Sequence, residues 1–144
     1  HCRGNYFSRK EASDLDIEME IGTKDDEYLT ILSETLDILL VDVNPDLIFI
    51  QGGIDIYKLD RLGQMSLSRQ GIMRRNHFVY QRISELLPTA KIVVTMGGGY
   101  PKNLDENSEA FRAIVNVHSD VYINAMQHFL FSDSNNKKYT MNGT

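Results

Sequence analysis

The chain carries a single cysteine, Cys2, in 144 residues. That excludes an internal disulfide framework and suits a reducing compartment, so the expected location is intracellular, with nucleus and cytoplasm left open. No apolar run reaches the length needed to span a bilayer and no signal peptide is visible, so no membrane partner is expected. Basic charge is not in excess: 15 Lys and Arg stand against 20 Asp and Glu, a formal charge of −5, with the two signs mixed along the chain. That argues against direct nucleic-acid binding. None of His77, His118 and His128 has another histidine at i, i+4 spacing or a close cysteine, as a zinc site read from sequence would need. The initiator methionine is missing too; the first residue is His1, as in a processed protein or a fragment of a longer product.

What is present is enough for one core. With 42% hydrophobic residues over this length, the chain is expected to form one domain or part of one. Residues 14–21 alternate, with Leu15, Ile17, Met19 and Ile21 on one face and acids on the other. That period of two predicts an edge strand with one wet face. After Gly22, Thr23 is expected to cap a helix whose apolar stripe is Tyr28, Ile31, Leu32, Leu36, Leu39, Leu40 and Val43, ended by Asn44-Pro45. Residues 46–50 form an apolar run without alternation, as expected of a strand covered on both faces. A loop over 51–67 leads to Ser68, a cap for a helix with stripe Ile72, Phe78, Val79, Ile83 and Leu86. Pro88 breaks it, and residues 92–96 read as a third strand. Asp105 is expected to open a last helix carrying Phe111, Ile114, Val115, Val121, Tyr122, Ala125 and Phe129. Residues 132–144 are polar and expected to be a disordered tail. The alternation of strand and helix predicts an α/β fold with a mainly parallel sheet and right-handed crossovers.

Two strands thus end in glycine turns that present reactive side chains. The first leads into Gln51-Gly52-Gly53-Ile54-Asp55, the second into Gly97-Gly98-Gly99-Tyr100. In an open parallel sheet, ligands bind at the carboxyl ends of the strands. Asp55 could there bind a divalent metal, act as a base, or cap the next segment. Asp60, in Asp60-Arg61-Leu62-Gly63, has the plainer reading of a loop carboxylate paired with Arg61 or with backbone amides. The three glycines have two functional readings: amides that cradle a phosphate ahead of a helix, or a backbone passing close to a substrate while holding Tyr100 over it. In the second, the phenol would stabilise a developing oxyanion. The alternative is a tight turn with Tyr100 on the surface, though three glycines exceed what a turn requires. His77 is expected to face solvent, and His118 and His128 to be packing or surface residues.

Taken together, the stretch from Asp46 to Asp55, the Asp60-Arg61-Leu62-Gly63 segment and Met96-Gly97-Gly98-Gly99-Tyr100 resemble the zinc-dependent histone deacetylase family, in the branch of class IV enzymes and bacterial deacetylase-like proteins. The upstream stretches Arg9-Lys10-Glu11-Ala12-Ser13-Asp14-Leu15-Asp16 and Gly22-Thr23-Lys24-Asp25-Asp26-Glu27-Tyr28 are similar as well. The resemblance runs from His1 to about Phe129, so residues 1–131 are expected to be the C-terminal part of a deacetylase-like domain. It implies the arginase–deacetylase architecture, here incomplete. It also implies Zn2+ held by two aspartates and a histidine, with Asp55 as the second aspartate, and Tyr100 as the residue that polarises the acyl carbonyl. Asp60 and its loop would support the site, Gly97, Gly98 and Gly99 would line it, and Phe7 would match an aromatic wall of the acyl-lysine channel. The remaining zinc ligands, the paired histidines and most ligands of a structural K+ would lie upstream of His1. The implied substrate is an acetylated lysine of a histone or another protein, or an acetylated amine.

Three functions follow as expectations. The first is the C-terminal half of a deacetylase, completed by an N-terminal half. The second is a catalytically inactive truncated module that acts through protein–protein interaction or an oligomer partner. The third is a phosphate-binding α/β domain using the glycine turn.

Overall fold

The computed structural model describes residues 1–2 and 12–131. Phe7 and the 132–144 tail lie outside the described residues. Three helices and two strands follow one another as α1 (Asp25–Val43), β1 (Leu47–Gln51), α2 (Arg69–Leu86), β2 (Lys91–Thr95) and α3 (Glu109–Phe131). The strands pair in parallel, with Leu47 opposite Lys91 and Gln51 opposite Thr95, and α2 is the crossover between them.

Helix boundaries follow local hydrogen bonding. Asn44 closes α1 in the left-handed region at φ 44°, its N–H bonded to the Leu40 carbonyl, a conformation asparagine tolerates better than most residues. Ser68 caps α2, its hydroxyl accepting from Gly71 N at 3.0 Å. The same hydroxyl donates to Asp25 at 2.6 Å, and Ser68 N donates to it at 2.7 Å. One carboxylate in the first turn of α1 thereby fixes the start of α2.

Four expectations are corrected. Residues 14–21 are not a strand; only Met19 pairs, with Cys2, in an isolated bridge. Instead Ser13 donates through both its amide and its hydroxyl to Asp16, a local turn that competes with a ladder. Leu15 and Ile21 are consequently exposed. Thr23 does not cap α1: its hydroxyl donates to the Glu20 carbonyl, and Lys24 holds the cap position without a side-chain bond. Helix α3 opens at Glu109 rather than Asp105, because Ser108 accepts from Phe111 N while Asp105 is spent on a turn with Asn107 N. Finally, among the described residues β1 is covered on one face only. Ile48 and Ile50 pack with Ile92 against Leu40, Ile83 and Leu87 of the helical layer, whereas Leu47 and Phe49 on the other face are 49% and 67% exposed.

The helical stripes are also narrower than their sequence periodicity predicts. Leu39 and Val43 of α1 and Val115 and Tyr122 of α3 face outward. A second cluster joins Ile54, Tyr57, Met65 and Leu67 of the long loop to Ile72 of α2 and to Ile114, Val117 and Val121 of α3. It sits directly under the carboxyl ends of β1 and β2. The buried Tyr80 hydroxyl donates to the Val121 carbonyl at 3.0 Å, tying α2 to α3 there.

Candidate active site

The two glycine turns are knitted together by backbone. Gly52 N donates to the Thr95 carbonyl at 2.8 Å, extending the strand ladder, and Ile54 N donates to the Gly98 carbonyl at 2.6 Å. The chain can pass this closely only because side chains are missing. A Cβ on Gly97 would lie 2.7 Å from both Cα and N of Gly53. One on Gly98 would lie 2.3 Å from Asp55 Oδ2, and one on Gly99 would lie 2.3 Å from His118 Nε2 and 2.6 Å from Ile54. Each of the three glycines meets a different neighbour, which is why a simple turn would not need them all.

Asp55 therefore stands at the end of β1 with its carboxylate against the end of β2. Burial raises its pKa above the ordinary carboxylate value; the nearby Asp60 adds to that, while a backbone hydrogen bond, Arg75 and His118 oppose it. Asp60 is buried and fully used: it accepts from Leu62 N at 2.7 Å, Gly63 N at 2.5 Å and Tyr100 N at 2.5 Å. Arg61 N returns a bond to the Tyr100 carbonyl at 2.9 Å. Of the two readings of Asp60, partnership with backbone amides is the one observed, and one of those amides belongs to Tyr100. Asp55 and Tyr100 thus stand at the same carboxyl edge of the sheet, Tyr100 exposed at 40%.

Two residues that sequence reading passed over join the site. Arg75 reaches from α2 to donate to the Gly53 carbonyl at 2.7 Å, and its guanidinium is held by Asn76. His118 is neither a plain packing residue nor a surface one. Its ring lies on Gly99, and burial lowers its pKa, opposed by the adjacent Gly99 backbone and by the charges of Asp55 and Asp60. Its Nδ1 is buried without a hydrogen-bond partner among the described residues. The available signal was spacing: His118 lies on the buried stripe with Ile114, Val117 and Val121. His77, in contrast, is exposed as expected. His128 lies away from this rim, its Nε2 3.0 Å from the Ser84 hydroxyl.

The phosphate reading loses its support. Residues 101–108 separate the glycine turn from the start of α3, so the glycine amides do not crown a helix N-terminus. For a metal, a partly buried carboxylate that burial makes costly to ionise suits a divalent cation, which would balance its charge. Among the described residues, however, no group of three or more His, Cys, Asp or Glu is placed to hold a metal ion. Asp55 is one donor, where a catalytic zinc takes three protein ligands. No helix among the described residues is long and apolar enough to cross a membrane.

Residues 3–118 match the model of the histone deacetylase domain. The chain belongs to that family. Among curated relatives, this deacetylase-family chain is 36% identical over 122 residues to an uncharacterized protein of Picosynechococcus sp., a match covering 85% of the chain and 40% of the relative. It is 33% identical over 90 residues to Histone deacetylase 2 of Arabidopsis thaliana, covering 62% of the chain and 23% of that protein. Among solved structures it resembles an acetylpolyamine aminohydrolase from Burkholderia pseudomallei, with TM-score 0.58 and 17% identity over 78% of this chain and 28% of that one. It also resembles the histone deacetylase Clr3, with TM-score 0.53 and 19% identity over 79% of this chain and 17% of that one. These likenesses give the arginase–deacetylase fold, here incomplete. The chain spans less than half the length of each of these relatives.

Proposed function

We propose that this chain supplies the Asp55–Tyr100 rim of a zinc-dependent deacetylase that hydrolyses an acyl-lysine or a related acetylated amine. The observation that carries this reading is the double clamp on the glycine turn: Gly98 packed on the Asp55 carboxylate and the Tyr100 amide held by buried Asp60. Asp55 would be one ligand of Zn2+, the others coming from outside the described residues. Zinc, when bound, lowers the pKa of a water and polarises the acyl oxygen. Tyr100 would donate its phenol hydrogen to the oxyanion that develops on that oxygen, a contribution made mainly in the transition state. Asp60 holds the Tyr100 backbone, so that less of the residue would have to be ordered at the moment of reaction. The relatives' names span histone and polyamine substrates, which supports the class of acetylated amines and leaves the acyl carrier to experiment.

The test compares two variants in a complete deacetylase domain containing this chain. Tyr100→Phe should lower kcat by about 10²–10³ with KM and metal content retained. Asp55→Asn should instead lower zinc occupancy, because an amide replaces the charged ligand. If Tyr100→Phe keeps kcat within about twofold of the parent, the oxyanion role is wrong. The 144-residue chain alone should show weak zinc binding and no appreciable turnover of an acetyl-lysine peptide.

A second reading is supported by the open face of β1. Leu47, Phe49 and Val93 are exposed together on a sheet of two strands, and apolar patches of this kind favour association. In that reading the chain is a catalytically inactive truncated module that acts through protein–protein interaction by way of this face.

A further inference from the structure

Helix α3 grips both strand ends from behind the glycine turns. Val121 closes on the end of β1, its Cγ1 lying 2.6 Å from where a Cβ on Gly52 would be. One turn earlier, His118 closes on the end of β2 through Gly99, with Nε2 and Cε1 at 2.3 and 3.0 Å from the corresponding point. Val121 and Val117 are buried apolar side chains and need no further account. His118 does. Its Nδ1 is buried with no hydrogen-bond partner among the described residues, a situation that costs stability and that an apolar side chain would avoid. A cavity of about 370 Å³ beside it, lined by Met96, Phe111, Val115 and Tyr122 among others, is largely apolar and has room for such a replacement. The use of an imidazole at this position must therefore lie in its other nitrogen, the one against the Gly99 backbone.

We propose that His118 is a positioning residue: from α3, its Nε2 holds the Gly99 backbone and thereby sets where Tyr100 stands on Asp60. The chain of contacts is short. His118 lies on Gly99, Gly99 is bonded covalently to Tyr100, and the Tyr100 amide donates to Asp60. Without the ring, the turn would be held only by the segment that follows β1: by Ile54 N on the Gly98 carbonyl, by Gly53 against Gly97, and by the bonds of Tyr100 with Asp60 and Arg61 N. The consequence for catalysis rests on the deacetylase reading; the positioning itself does not.

The experiment follows amide hydrogen exchange by NMR in the 144-residue chain. His118→Leu keeps apolar bulk and removes the ring nitrogen. It should speed exchange of the Tyr100 amide by about tenfold or more relative to the amides of β1. His118→Gln, which carries an N–H at the Nε2 position, should stay within about threefold of the parent. Val117→Ala, a cavity beside the same stripe, should raise exchange across the molecule without singling out Tyr100. If the leucine variant does not fold, His118→Met takes its place. Exchange at Tyr100 that tracks β1 in the apolar variant, or a glutamine variant that behaves like the apolar one, would overturn the proposal. Because the readout does not depend on turnover, failure of Tyr100→Phe to lose activity would remove the catalytic reading and leave this result standing.

Discussion

The carboxylate of Asp60 accepts the backbone N–H of Tyr100 across forty residues of sequence. Since the same carboxylate also accepts from Leu62 and Gly63, one buried acid fixes its own loop and the turn after β2 to each other. The loop is pressed close enough that a Cβ on Gly63 would fall on the Asp55 carbonyl. Backbone contacts therefore hold Asp55, Asp60 and Tyr100 to one another.

Asp60→Ala should destabilise the chain by about 3 kcal/mol, because three N–H groups lose a charged acceptor in a buried setting. Asp60→Asn should cost less, since the amide oxygen still accepts although its NH2 then faces donors. Urea unfolding of the two variants checks the order. Equal and small losses would mean that water replaces the carboxylate.

The Asp55 carboxyl is expected to make folding pH-dependent in a definite direction. Its pKa in the folded chain is raised, chiefly by burial, so the folded state holds the proton more tightly than the unfolded chain does. The stability this group contributes is present at pH below its unfolded value and is lost as pH rises through the folded one. Asp55→Asn should remove that loss and leave the metal-free chain at neutral pH as stable as the parent or more so. Unfolding midpoints in urea between pH 4 and pH 7 measure it; a parent and variant with parallel pH profiles would contradict the burial argument.

The glycines should fail in different ways. Gly97→Ala sets a methyl against the Gly53 backbone, which cannot swing aside, and should cost about 3 kcal/mol. Gly98→Ala sets a methyl against the Asp55 carboxylate, a group that can rotate, so the stability loss should be smaller. In a complete domain its effect should appear instead as reduced metal occupancy. Thermal unfolding and metal analysis of the pair separate the two.

The open face of β1 gives a prediction for the interaction reading. Phe49→Lys places a charge on an exposed apolar face and should change folding stability by no more than about 0.5 kcal/mol. It should weaken association with a complementary deacetylase segment, measured by analytical ultracentrifugation of the mixture. Undiminished association would place the interface elsewhere.

The sequence by itself determined the parts governed by near neighbours. The β1 and β2 runs, the Ser68 cap and the Asn44-Pro45 stop are legible because they depend on residue type and spacing within a few positions. That Asp55 and the Gly97-Gly98-Gly99-Tyr100 turn meet at one place was legible because parallel strands deliver their carboxyl ends to one edge. The alternation over residues 14–21 misled, since a period of two makes a strand only if a partner strand lies beside it, and the Ser13–Asp16 turn satisfied the local polar groups instead. Nor could spacing reveal which face of β1 is covered, because coverage depends on where α1, α2 and α3 come to rest. Only the tertiary structure decided what each glycine touches, that Asp60 serves Tyr100, and that Arg75 and His118 reach the site. Those contacts join residues distant in sequence, and their geometry is set by packing across α2, α3 and the two strand ends.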